Sequence, residues 1–223
     1  MTSDPAVQWA ATVIFGTLSA WSLWRLTTTR RLLVAASHLF HLGMSLAMVV
    51  MVWPCWVRLP ALPQVAFFAV GAACFAAAAG WYGIDALSRP AGSRGPTPDR
   101  RRAGHHESAR CQATHAVMML AMVWALAVMT RHGGPAVGHA AEHAAVHGAV
   151  PAPLDALTAA GGAVLVVLLV VGGALFLVAA VRHTRSGGAA RDRAGLDHAG
   201  LDLMAGGLMS FGTAAMCGLM LAG

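Results

Sequence analysis

Six stretches of the chain contain no Asp, Glu, Lys or Arg and are each long enough to cross a lipid bilayer: 5–24, 32–57, 59–84, 111–130, 156–181 and 203–223. The hydrocarbon core of a bilayer is roughly 30 Å thick, and a spanning helix needs about 20 apolar residues. The pattern predicts an all-α membrane protein, a six-transmembrane-helix bundle forming one domain over 1–223. Its helices are expected near 5–24, 32–55, 62–84, 111–130, 156–181 and 198–221. Only 11% of the residues are charged, against about 25% in soluble domains, which excludes an ordinary water-soluble enzyme and a disordered chain. The leader MTSDPAVQ carries an Asp and no Arg, and Arg25 follows the first apolar run. That is not the charge order of a secretory signal peptide, so the first helix is expected to be retained.

Every basic residue is Arg, and the Arg residues are distributed unevenly. Arg25, Arg30 and Arg31 separate spans one and two. Six more (Arg89, Arg94, Arg100, Arg101, Arg102 and Arg110) separate spans three and four, and Arg182, Arg185, Arg191 and Arg193 separate five and six. Only Arg58 and Arg131 fall on the opposite side. By the positive-inside rule the Arg-rich side faces the cytoplasm, so both termini are expected outside the cell. Placed beside anionic headgroups, these residues account for the net charge of +6 without nucleic acid as a partner. The stretch 86–110, rich in Pro, Gly, Ser and Arg, is expected to be a flexible cytoplasmic loop. Residues 131–154 form an outer loop with His132, His139, His143 and His147, and Pro54, Pro60 and Pro63 mark a tight outer turn.

Chemistry is confined to alternate spans. Apart from the initiator there are eleven Met residues, all in spans two, four and six, and the membrane His residues His38, His41, His115 and His198 follow the same rule. The segment HLGMSLAMV (41–49) repeats as HAVMMLAMV (115–123). Spacings of three and four place residues on one helix face, so His41, Met44, Met48 and Met51 form one column and His115, Met118, Met122 and Met129 a second. Span six follows more loosely with His198, Asp202, Met209, Met216 and Met220. It also carries Gly206, Ser210, Ala214 and Gly218 at every fourth position, the small-residue pattern that lets membrane helices approach closely.

Ionisable groups inside a membrane are costly and face the protein interior, where they pair or function. Thioether sulfur is a soft ligand suited to Cu(I), and imidazole binds copper, zinc and iron. The candidate metal ligands are therefore His38, His41, His115, His198, Asp202, Met44, Met48, Met118 and Met122. Copper is the leading cofactor, with binding or translocation as the activity. Three His residues would form an inner site, and Met residues would form steps toward the outside. His139, His143 and His147 in the outer loop offer a separate metal-capture tract. Met also serves as plain gap-filling hydrophobe, and His and Asp as interhelical packing glue. An accessory subunit of a larger membrane complex is thus the contrasting expectation, and a homo-oligomer is compatible with the small-residue face. Haem b held by two axial ligands in the bundle is a third expectation. There is no phosphate loop, nucleophile elbow or HExxH, and the balance leans away from an enzyme.

The SHLFHLGMSLAMV and HAVMMLAMVWA segments resemble a family of six-span integral membrane proteins of actinobacteria catalogued as a domain of unknown function. The resemblance covers nearly the whole chain and implies a multi-pass protein of the plasma membrane, with no activity attached. A second likeness is to membrane zinc hydrolases of the alkaline ceramidase and adiponectin-receptor type, through Ser37-x3-His41. It implies a zinc site acting on a lipid amide or ester, with Asp85 or Asp202 moving the proton. This sequence departs from that pattern in having six helices and His198-x3-Asp202 where two His residues are expected.

Overall fold

Proline or glycine follows the end of every helix but the first, which stops at Thr28 ahead of Arg30 and Arg31. In the computed structural model, which describes residues 5–30, 32–53, 60–88, 98–133, 154–186 and 198–222, the helices are α1 (Pro5–Thr28), α2 (Leu32–Val52), α3 (Ala61–Ser88), α4 (Pro98–Gly133), α5 (Ala156–Ser186) and α6 (His198–Ala222). Each is long and apolar enough to cross a membrane, and the described residues contain no strand. The expected six-helix, all-α membrane architecture is what the chain adopts. The stretch holding His139, His143 and His147, and the turn with Cys55, lie outside the described residues.

Helices α1 and α5 run four and five residues past their expected ends, to Thr28 and Ser186, and α4 three past, to Gly133; three other ends differ for a local reason. Helix α2 stops at Val52 rather than 55, because Trp53 precedes Pro54 and a pre-proline residue is driven out of the helical region. Helix α3 runs on to Ser88 and stops before Arg89 and Pro90 for the same reason. The largest correction is α4, which begins at Pro98, so the second half of the expected flexible loop is helical. Proline is pre-organised for a first helical position, and Asp99 beside it complements the positive helix terminus. The following Arg, Ala and Glu residues are good helix formers. At 36 residues the helix is about 54 Å long, and it extends well beyond its apolar span Ala109–Thr130.

The chain divides into two compact units, Met1–Ala66 with Met122–Gly161, and Phe67–Ala121 with Gly162–Gly223. In the first, α1 packs along α2 through Phe15, Leu18, Ser19 and Ser22, which are buried. At one end of this hairpin Trp53 Nε1 donates to Thr12 Oγ1 at 3.0 Å, and the rings of Trp9 and Trp53 meet edge to face with centroids 5.5 Å apart. In the same unit Trp124 Nε1 donates to the Thr158 carbonyl at 3.2 Å. Asp155 caps the start of α5, its Oδ1 accepting from Thr158 N–H at 2.8 Å and its Oδ2 from the Thr158 hydroxyl at 2.8 Å.

In the second unit, α5 and α6 approach where both have lost their side chains. A methyl group built at Gly173 would lie 3.0 Å from the Phe211 ring, and one at Gly207 3.4 Å from the Gly173 carbonyl oxygen. Ser210 Oγ donates to the Leu169 carbonyl at 2.7 Å. Gly206, Ser210 and Ala214 are buried as the small-residue pattern predicts, whereas Gly218 is half-buried with open space beside it. Helix α5 presents Val164, Val167, Val171, Leu175 and Val178 outward, a face that suits lipid and would be an extensive apolar patch in water. Other hydroxyls turn back to their own helix, as Ser45 does to the His41 carbonyl at 2.9 Å and Thr213 to that of Met209 at 2.9 Å. This removes the cost of carrying them through an apolar medium.

Candidate metal-binding faces

The repeated segment of α2 and α4 folds with the same inward and outward register in both copies. His41, Met44 and Met48 are buried in the first copy, and His115, Met118 and Met122 in the second. The Leu between the two Met residues points outward in each, with Leu46 49% and Leu120 51% exposed. The next position inward, Ser45 in one and Met119 in the other, is also buried. A contrast between apolar and polar sides cannot reveal this face, since the outward side of a membrane helix is as apolar as the inward one. The residue types identify it instead: the sulfur and imidazole groups all lie inside.

In α2 the inward stripe runs His38, His41, Met44, Ser45, Met48, Met51, and every member is buried. The His38 and His41 rings stand 6.3 Å apart, centroid to centroid, at an interplanar angle of 71°. In α4, Met118, Met119 and Met122 are fully enclosed, Met129 is half-buried, and Cys111, one turn before His115, is half-buried. His115 itself lies between two aromatic rings, Phe75 of α3 at 5.2 Å and Phe176 of α5 at 5.3 Å. These spacings fall within the range of favourable aromatic pairs, about 4.5–7 Å.

The structure does not extend this arrangement to α6. Met209 is buried there, but Met204 is exposed and Met216 and Met220 are half-buried. The α6 interior is instead occupied by Gly206, Ser210, Thr213 and Cys217. His198 begins the helix, and its side chain lies outside the described ones. Asp202, Asp85 and Ser37 are half-buried. Among the described residues, no three His, Cys, Asp or Glu side chains gather to hold a metal ion. His38 and His41 belong to the first compact unit and His115 to the second. The donor sets on view are a pair of imidazoles and rows of thioethers.

Sequence inspection for chemistry missed a second repeat, in the helices without Met. VGAACF (70–75) of α3 recurs as VGGALF (171–176) of α5. The copies agree in burial: Phe68, Gly71 and Phe75 correspond to Leu169, Gly172 and Phe176, and all six are buried. The two Phe residues that flank His115 are therefore equivalent positions of this repeat. The signal is legible as a shared Val-Gly-x2-x-Phe spacing, but it is carried by ordinary apolar residues that draw no notice.

Six membrane-crossing helices with buried His and Met faces define a multi-pass helical membrane protein. Residues 34–220 match the family described as Domain of unknown function (DUF5134), and the chain belongs to that family. No curated protein and no solved structure matches it.

Proposed function

We propose that this is a multi-pass protein of the plasma membrane, with both termini outside, that binds copper as Cu(I) inside the bilayer at two separate donor rows, the inward His/Met stripe of α2 and the Met row of α4. The observation that carries this reading is the burial of His41, Met44 and Met48 with the intervening Leu46 turned out, reproduced in the thioethers of α4 around Leu120. Packing alone would be served by Leu or Val. Placing polarizable thioethers at Met44, Met48 and Met51 of α2 and at Met118, Met119 and Met122 of α4, all buried, supplies soft donors, which favour Cu(I) over harder cations. The Arg distribution supports this orientation, in which the imidazole end of each column is toward the cytoplasm and the thioethers continue outward.

The test is direct. Protein purified in detergent is assayed for metal by elemental analysis, then titrated anaerobically with Cu(I) in the presence of a reductant. Copper bound at a defined stoichiometry, retained through gel filtration, supports the reading. A preparation that is metal-free and takes up no Cu(I) overturns it, and leaves the stripes as packing in an accessory membrane subunit.

A further inference from the structure

The two imidazole-bearing segments are alike in sequence and in burial, yet their rings have different surroundings. We infer that the imidazole end of the copper site is the His38–His41 pair of α2, binding Cu(I) in a near-linear, two-coordinate manner, and that His115 is a positioning residue outside the coordination. This rests on the copper reading above and adds which of its imidazoles touch the metal.

The argument for the pair is geometric. A metal–imidazole bond is about 2 Å long, and a ring nitrogen lies about 1 Å from the ring centre, so two rings on one ion in a straight line have centroids about 6 Å apart. The observed 6.3 Å matches that arrangement. Three-coordinate binding, with a bent N–metal–N angle, would draw the rings closer. Rotation about a linear N–Cu–N axis leaves both bonds intact, so the 71° interplanar angle is no obstacle. The two rings are three residues apart on one helix face and buried on the same stripe as Met44, the first soft donor on the outward side. A two-coordinate ion beside a thioether is poised to exchange ligands along the stripe.

His115 is held in another way. Phe75 and Phe176 come from repeat-equivalent positions of α3 and α5 and flank the His115 ring at nearly equal distance and tilt: 5.2 Å and 37° on one, 5.3 Å and 44° on the other. A methyl group at Gly206 of α6 would stand 3.4 Å from the Phe176 ring, so the stack continues into a fourth helix. The position rewards a flat ring of this size and makes no demand for a metal-binding nitrogen.

The experiment compares Cu(I) affinity, measured by competition with a chromogenic chelator, in the intact protein and in His38→Ala, His41→Ala, His115→Phe and His115→Ala. X-ray absorption reports the nearest shell of the bound copper. The expected result is at least a tenfold loss of affinity in either α2 variant, and a shell of two nitrogens in the intact protein. His115→Phe should bind copper as the intact protein does. His115→Ala should also bind it, but with a lower melting temperature. Should an alanine variant fail to fold, His38→Asn or His41→Asn keeps a polar side chain of similar volume and tests the same point. Copper bound by the intact protein but lost in His115→Phe, with the α2 variants unaffected, overturns the assignment while leaving the copper reading in place. An intact protein that binds no copper overturns the reading beneath it.

Discussion

The Ser210 hydroxyl donates to the main-chain carbonyl oxygen of Leu169 at 2.7 Å, joining α6 to α5 where the two helices are nearly bare of side chains. A serine hydroxyl in an apolar helix ordinarily bonds back to its own turn. Here it crosses to a neighbour. Such interhelical bonds in membranes contribute modestly, about 0.6 kcal/mol on average. Ser210→Ala is expected to lower stability by ~1 kcal/mol, the hydrogen bond plus a small packing loss, as measured by unfolding in mixed micelles.

Gly172 and Thr114 make a sharper test of the same packing. A methyl group added at Gly172 would collide with the γ-methyl of Thr114, a β-branched side chain with little rotamer freedom in a helix. Gly172→Ala should cost ~1–3 kcal/mol, the usual penalty for overpacking. Thr114→Ser removes the offending methyl and should recover most of that loss in the double variant, giving a coupling well outside additivity. Gly80 has open space around it, so Gly80→Ala should be neutral or stabilising by about 0.5–1 kcal/mol.

Trp53 fastens the far end of the α1–α2 hairpin through Thr12. Trp53→Phe keeps an aromatic ring against Trp9 but removes the N–H donor. A loss of ~1 kcal/mol is expected, with Thr12→Val adding little on top, because the two residues share one interaction. Thermal unfolding of the two single variants and the double variant checks this.

Much of this architecture was legible because charge is absent from six stretches and water is absent from the medium they occupy. What misled was composition read without capping. The Arg, Gly and Pro of 86–110 look like loop, yet Pro98 and Asp99 open a helix that continues into the span holding His115. Span six misled in another way. Its Met residues invite comparison with the columns of α2 and α4, but its interior is set by Gly206, Ser210 and Thr213, and of its Met residues only Met209 is buried. The flanking of His115 by Phe75 and Phe176 was not legible at all. The partners lie about 40 and 60 residues away and belong to helices of plain Ala, Val and Leu character. The inward register of His41, Met44 and Met48 was legible, since spacing of three and four on a helix leaves one choice of face.

The orientation proposed from the Arg residues has its own test. In a cysteine-free background, Ser93→Cys and Ala141→Cys place single thiols in the two long connections. A membrane-impermeant maleimide applied to intact cells should label the cysteine at 141 and leave that at 93 unlabelled until the cells are opened. The reverse pattern would turn the protein over in the membrane.

The most direct measurement of the central claim is the number of Cu(I) equivalents bound by a variant with Met44, Met48, Met118 and Met122 all replaced by Leu. Leucine nearly preserves volume and apolarity, so the fold should be retained at a cost under about 1.5 kcal/mol per site, while every buried thioether donor at these positions is removed. The expected result is a folded protein that keeps the ion at the His38–His41 pair and loses the further equivalents of Cu(I) that the intact protein holds on its thioethers. A folded variant that binds as many equivalents of Cu(I) as the intact protein would show these sulfur atoms to be packing alone and would contradict the claim.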